Sequence, residues 1–193
     1  MLKAVNSLKL VISMLFLIAL VYYTYRFIQL LLKMNQAVLL PITDSEKNAI
    51  RIFPQKVIDS PTYSKQKWGI ILYSFILLFV ITMFFIGFDL NWSYQLLLLL
   101  PLINSQNSFN VFAVIEDGIL CGNRYIPWEK IKSFHVVSID QNHKYYGYAY
   151  EVNGGYEFII KAKGHSCSVI MTSNEMKDKL TSMIKEQGIS PAK

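Results

Sequence analysis

The sequence is poor in charge. Asp, Glu, Lys and Arg make up 17% of its 193 residues, against about a quarter in an average soluble domain. The deficit is local: residues 10–25 (LVISMLFLIALVYYTY) and 68–88 (WGIILYSFILLFVITMFFIGF) carry no charge at all. Cysteine and histidine are scarce too, with Cys121 and Cys167 the only thiols and His135, His143 and His165 the only imidazoles. The cysteines do not form a CxxC pair and no histidine stands at ligand spacing to either, so both are expected as buried or half-buried strand residues. HExxH, a phosphate-binding GxxxxGK[ST] loop, GxGxxG and the GxSxG elbow are all missing. No metal, cofactor or catalytic residue is therefore expected, and the chain reads as a non-enzyme.

The net charge is +6, but its distribution argues against nucleic acid. Residues 111–193 hold ten Lys/Arg and nine Asp/Glu, while the first 110 hold nine and four. A nucleic-acid-binding domain would carry its own basic excess. Basic residues beside apolar runs read instead as topology information.

A spanning helix needs roughly 20 apolar residues. Residues 10–25 fall just short, and become long enough if Arg26 snorkels and the helix continues toward Lys33. A cleaved signal peptide is the competing reading. Tyr22, Tyr23 and Tyr25 stand where its small-residue cleavage site belongs and suit a membrane interface, so residues 1–33 are expected as an uncleaved anchor. Residues 34–67 contain Pro41, Pro54 and Pro61 and read as a basic connector. Residues 68–108 read as a helical hairpin turning at Asp89-Leu90-Asn91, with Trp68 and Trp92 as interfacial anchors; its second limb is short and either spans or is re-entrant. Residues 26–67 hold seven Lys/Arg and the turn at 89–91 none. By the positive-inside rule, connector and C-terminal domain then face the cytoplasm, with the N-terminus outside although Lys3 and Lys9 pull the other way. A stable disulfide is not expected on that side.

From residue 109 the pattern becomes short alternating runs. VFAVIE, a turn at Asp117-Gly118, ILCG and Tyr125-Ile126 predict successive strands, with Pro127 at an edge or break. KSFHVVSI predicts a third main strand, with Phe134, Val136 and Ser138 on one side. YYGYAYEV predicts a fourth, closed by a hairpin at Gly154-Gly155, and YEFIIKA and SCSVIMT two more. The end is helical: Thr172 and Glu175 have capping-box spacing, and Met176, Leu180, Met183 and Ile184 form an apolar stripe. This is a run of about six antiparallel strands closed by an amphipathic helix.

Glu116-Asp117-Gly118-Ile119 followed by Tyr125-Ile126-Pro127-Trp128-Glu129-Lys130-Ile131, directly behind a helical hairpin, resembles the bacterial pleckstrin-homology-like (PH-like) small membrane proteins. The resemblance covers residues 68–187. It implies a seven-stranded bent sheet with a C-terminal helix, and among similar proteins some act in bacteriocin immunity or envelope stress. Asp117, Gly118, Pro127, Trp128 and Ile131 read as structural. Phosphoinositide binding would need basic residues around the first hairpin, and here that turn is acidic, so none is expected. Tyr146, Tyr148 and Tyr150 would share one face of the fourth strand and form a candidate protein surface. The expectation is a multi-pass membrane protein with a cytoplasmic PH-like domain that binds a protein partner or itself. The alternative is an accessory subunit of a transporter or membrane enzyme that makes contact through its helices.

Overall fold

The computed structural model describes residues 2–87 and 92–192. The turn at 89–91 expected to join the helical hairpin lies outside them. Helix α1 (Leu2–Lys33) and helix α3 (Tyr63–Ile86) contain stretches, Lys9–Lys33 and Tyr63–Ile86, that are long and apolar enough to cross a membrane. Their outer faces are large exposed apolar side chains such as Ile18, Val21, Phe75 and Phe85. Helix α4 (Trp92–Asn104) has 13 residues, which rise about 20 Å, short of a hydrocarbon core of about 30 Å. Between α1 and α3 lie strand β1 (Val38–Leu40), helix α2 (Asp44–Asn48) and strands β2 (Ile50–Phe53) and β3 (Lys56–Val57). After α4 come β4 (Phe112–Ile115), β5 (Gly118–Cys121), β6 (Arg124–Pro127), β7 (Ile131–Ser138), β8 (Tyr156–Ala162), β9 (His165–Met171) and helix α5 (Asn174–Glu186).

The strands form two antiparallel sheets, ordered β1-β4-β5-β6 and β3-β2-β9-β8-β7. The segment 34–67, expected as a connector separate from the C-terminal domain, supplies a strand to each: β1 pairs with β4 and β2 with β9. Local sequence could not show this, because the partners are more than 70 residues away. Six strands follow residue 109, at six of the runs read as strands, while YYGYAYEV, also read as a strand, is a loop; among the described residues the sheet domain has nine strands.

Two apolar cores share the four-stranded sheet. On one face Leu40, Phe112, Val114, Ile119 and Ile126 meet Phe134, Phe158, Ile160, Val169 and Met171 of the five-stranded sheet, closed by Met176, Leu180 and Ile184 of α5. On the other, Ala113, Ile115 and Leu120 pack with Phe27, Tyr73 and Phe109 against the helices. Alternation along a strand sends neighbouring side chains to opposite faces. Phe112 to Ile115 are all fully buried because both faces are covered. The sheet is thus a wall common to helices and domain. In β7, Ile131 and Phe134 both point into the core although they are three apart, because the β7–β8 register shifts between Ile131 and Ser133.

Helix α5 starts one residue later than expected. Ser173 is the N-cap and accepts from the Met176 N–H at 3.2 Å, while Thr172 lies over the Ala49 carbonyl. The full capping box occurs in α2, where Thr43 and Glu46 satisfy each other's backbone N–H groups.

Candidate functional site

The motif behind the helices builds a hairpin corner. Gly118 opens β5 where a Cβ would stand 2.3 Å from the Ile126 carbonyl oxygen, so a side chain there would push β6 away. The Trp128 indole N–H donates to the Glu116 carbonyl at 2.9 Å, and the Tyr125 hydroxyl donates to the Asp117 carbonyl at 2.9 Å. Pro127 ends β6, an edge strand that needs no further donor there. Ile131 enters the core and Trp128 packs partly against it. The Asp117 carboxylate pairs with Lys33 at the end of α1. Burial would raise its pKa, but the Lys33 ammonium beside it holds it below the usual aspartate value. The corner therefore ties the first helix to the sheet.

Tyr146, Tyr148 and Tyr150 are not on a strand. Residues 139–155 form a loop, with Gly147 at φ 83° and a single 3-10 turn at Tyr150–Val152. The alternation expected for YYGYAYEV is lost because the loop's partners lie on the sheet beneath it, not beside it in a ladder. All three side chains are nevertheless exposed, at 42%, 57% and 91%. The loop folds over the outer face of the five-stranded sheet, where Ile139, Val152 and Ile170 make a small core of their own. Gly154 and Gly155 close it, each hydrogen bonded back to Ile139.

What holds the loop is Glu157, a buried carboxylate that sequence reading did not single out. It takes His143 Nε2 at 2.9 Å, Lys144 Nζ at 2.9 Å and the Ser168 hydroxyl. The Tyr145 N–H donates to His143 Nδ1 at 3.2 Å, leaving Nε2 as the donor to Glu157. Burial alone would raise the Glu157 pKa. The Lys144, Ser168 and His143 donors outweigh it, and the carboxyl titrates below its usual range. The chemistry of this cluster is limited, because Ser168 donates to the carboxylate and not to an imidazole. A serine becomes a nucleophile through an adjacent base, and here the carboxylate stands between the two. Arg51 of β2 adds a longer contact, 3.9 Å, to Glu151 in the same loop. The only sequence signal for these contacts was an unmatched acid inside an otherwise apolar strand, YEFII.

Cys121 and Cys167 are strand residues as expected, one half-buried and one buried, and they are joined by a disulfide that links β5 to β9 across the core. The pairing was not visible in the sequence because the cysteines belong to different sheets. In the helices, Ser13 of α1 and Gln95 of α4 hydrogen bond at 2.9 Å with Gln95 wholly buried. Among the described residues, no group of three or more potential metal ligands occurs. No protein-family model matches the chain, nor does any curated protein or any solved structure.

Proposed function

We propose that this is a non-enzymatic, multi-pass membrane protein whose sheet domain, PH-like by resemblance, binds a protein partner through the tyrosine loop. The observation that carries the reading is the pairing of exposure with fixation. Tyr146, Tyr148 and Tyr150 face outward from a loop anchored by Glu157 and by a small core beneath it. Large aromatic side chains on a pre-ordered loop lose little entropy on binding. Bacteriocin immunity and envelope stress are the settings that the resemblance implies. The test places a photo-crosslinking amino acid at Tyr148 in the full-length protein in cells. A protein adduct that disappears when Tyr146 and Tyr150 become Ser supports the reading; an adduct indifferent to those changes sinks it.

A second reading, an accessory subunit docking through its helices, draws support from α4. Too short to cross alone, it leaves exposed Leu97 and Leu100 on the side where a partner's helix would fit. A crosslinker at Leu97 that captures protein while one at Tyr148 does not would favour it.

The Lys/Arg count supports a cytoplasmic domain, since Lys33, Lys65 and Lys67 flank the span ends on one side. The disulfide pulls the other way, because cytosolic thiols are kept reduced outside transient or redox-sensing pairs. One measurement reads the orientation. With Cys121 and Cys167 replaced by Ser, a cysteine at Asn174 should resist a membrane-impermeant thiol reagent in intact cells. Labelling there would put the domain outside and make a secreted peptide the better partner.

A further inference from the structure

Where α1 meets the sheet domain, four basic side chains converge on one small cavity. Arg26 comes from α1, Arg124 from β6, Lys130 from the turn before β7, and His165 from the start of β9. Tyr22, Tyr25, Gln29 and Tyr125 complete the wall, and the cavity holds about 120 Å³. Among the described residues none that lines it is acidic. The Arg26 guanidinium reaches Asn123 Oδ1 at 3.3 Å and lies 5.5 Å from the centre of the Tyr22 ring. His165 has a buried Nε2 with no hydrogen-bond partner among the described residues. Burial, Arg124 and Arg26 together push its pKa below the ordinary imidazole value. Gathering positive charge in a concave, half-dry place costs free energy unless an anion offsets it.

The position along α1 matters as much as the charge. Arg26 lies 17 residues beyond Lys9, about 26 Å at 1.5 Å per residue, which is close to the thickness of a hydrocarbon core. Tyr22 and Tyr25 beside it have the amphipathic character of an interfacial belt, and Trp68 with Lys67 stands near the corresponding end of α3. Arg26 thus falls at headgroup depth, and β6 with the β8–β9 turn brings Arg124 and His165 down to it.

We propose that this cavity binds a single phosphate group, presented by an anionic lipid headgroup or by a soluble phosphate. Two guanidinium groups offer planar, multidentate donors to phosphate oxygens, and His165 supplies a further donor once protonated. The volume accommodates one phosphate group. Tyr125 of the cavity wall donates to the Asp117 carbonyl, so the cavity adjoins the Glu116-Asp117 turn, although neither acid lines it. This inference does not depend on the tyrosine loop or on a protein partner.

The test uses the full-length protein, delipidated in neutral detergent, with bound lipid counted by native mass spectrometry. Phosphatidylglycerol, phosphatidylcholine and inorganic phosphate are the three probes, and the variants are Arg124→Gln and Lys130→Gln. Lys130 is exposed, so its variant carries the test if Arg124→Gln fails to fold. Retention of phosphatidylglycerol over phosphatidylcholine, weakened about tenfold by either variant, supports a lipid source. Saturable inorganic phosphate binding without phosphatidylglycerol, lost in the variants, supports a soluble source. Equal binding of all probes by wild type and variants, or no binding of any, overturns the proposal.

Discussion

His143 and His165 serve opposite ends of the β8–β9 hairpin, and their surroundings are opposite too. At the end away from the helices, His143 and Lys144 converge on one buried carboxylate, Glu157, which also takes a hydroxyl from Ser168. The donors and the acceptor are matched, so that network is closed. At the helix end, some 20 Å away along the strands, His165, Arg26, Arg124 and Lys130 converge on a cavity whose described lining has no acid. The same residue types thus serve two purposes. Matched with a carboxylate they fix a loop, and gathered around a cavity whose described lining has no acid they favour an anion there. The composition of a cluster says less about its role than whether its charges balance within it.

Both ends hang on one frame, and the largest expected effect comes from removing part of it. A fragment spanning 109–193 lacks β1, β2 and β3 and exposes Ala113, Ile115 and Leu120. It should show no cooperative thermal unfolding by circular dichroism. A sharp transition would mean that neither end needs the helices, and the shared-wall description would fail. Next comes the disulfide, which closes 46 residues near the basic end. Replacing both cysteines with Ala should cost about 4 kcal/mol relative to the oxidised protein, and a reductant should reproduce the loss in the wild type and leave the variant unmoved.

The closed network is tested by Glu157→Gln, which leaves the Lys144 ammonium without its charge partner and the half-buried His143 facing a neutral amide. The expected cost is about 2 kcal/mol at neutral pH. The sign with pH follows from the depressed Glu157 pKa. Its contribution is present above the ordinary glutamate value of 4.5 and is lost as pH falls through the lower folded-state value. Melting curves of wild type and variant should therefore converge in acid; a constant gap would show that charge is not what holds the loop. The smallest effects are expected from Lys130→Gln and Tyr150→Ser. Both side chains are exposed, and each change should move stability by no more than about 0.5 kcal/mol. A stability loss above about 1 kcal/mol in either would turn a binding surface into a structural one.

Much of the element order was legible because hydrophobic period reports local structure. The charge-free runs predict the long helices, the Asp117-Gly118 turn falls between β4 and β5 as read, and the Met176-Leu180-Ile184 stripe packs under the sheets. The reading went astray at YYGYAYEV, whose strand-like alternation yields to contacts with Glu157 and Ile170 from the sheet below. It also treated residues 34–67 as a connector, since three short strands carry too little pattern to register before their distant partners are known. In the sequence Arg26 reads only as a charge that must snorkel.

Where apolar helix gives way to alternating strand is written in the local residue pattern, because those periods are set by backbone geometry within a few residues. Which charges meet is a property of the folded chain. Glu157 with His143, Arg26 with Arg124 and His165, and Cys121 with Cys167 are separated by 14 to 139 residues, and no local rule relates such positions. Their proximity follows from one sheet being buried on both faces, which locks helices and strands into a single frame.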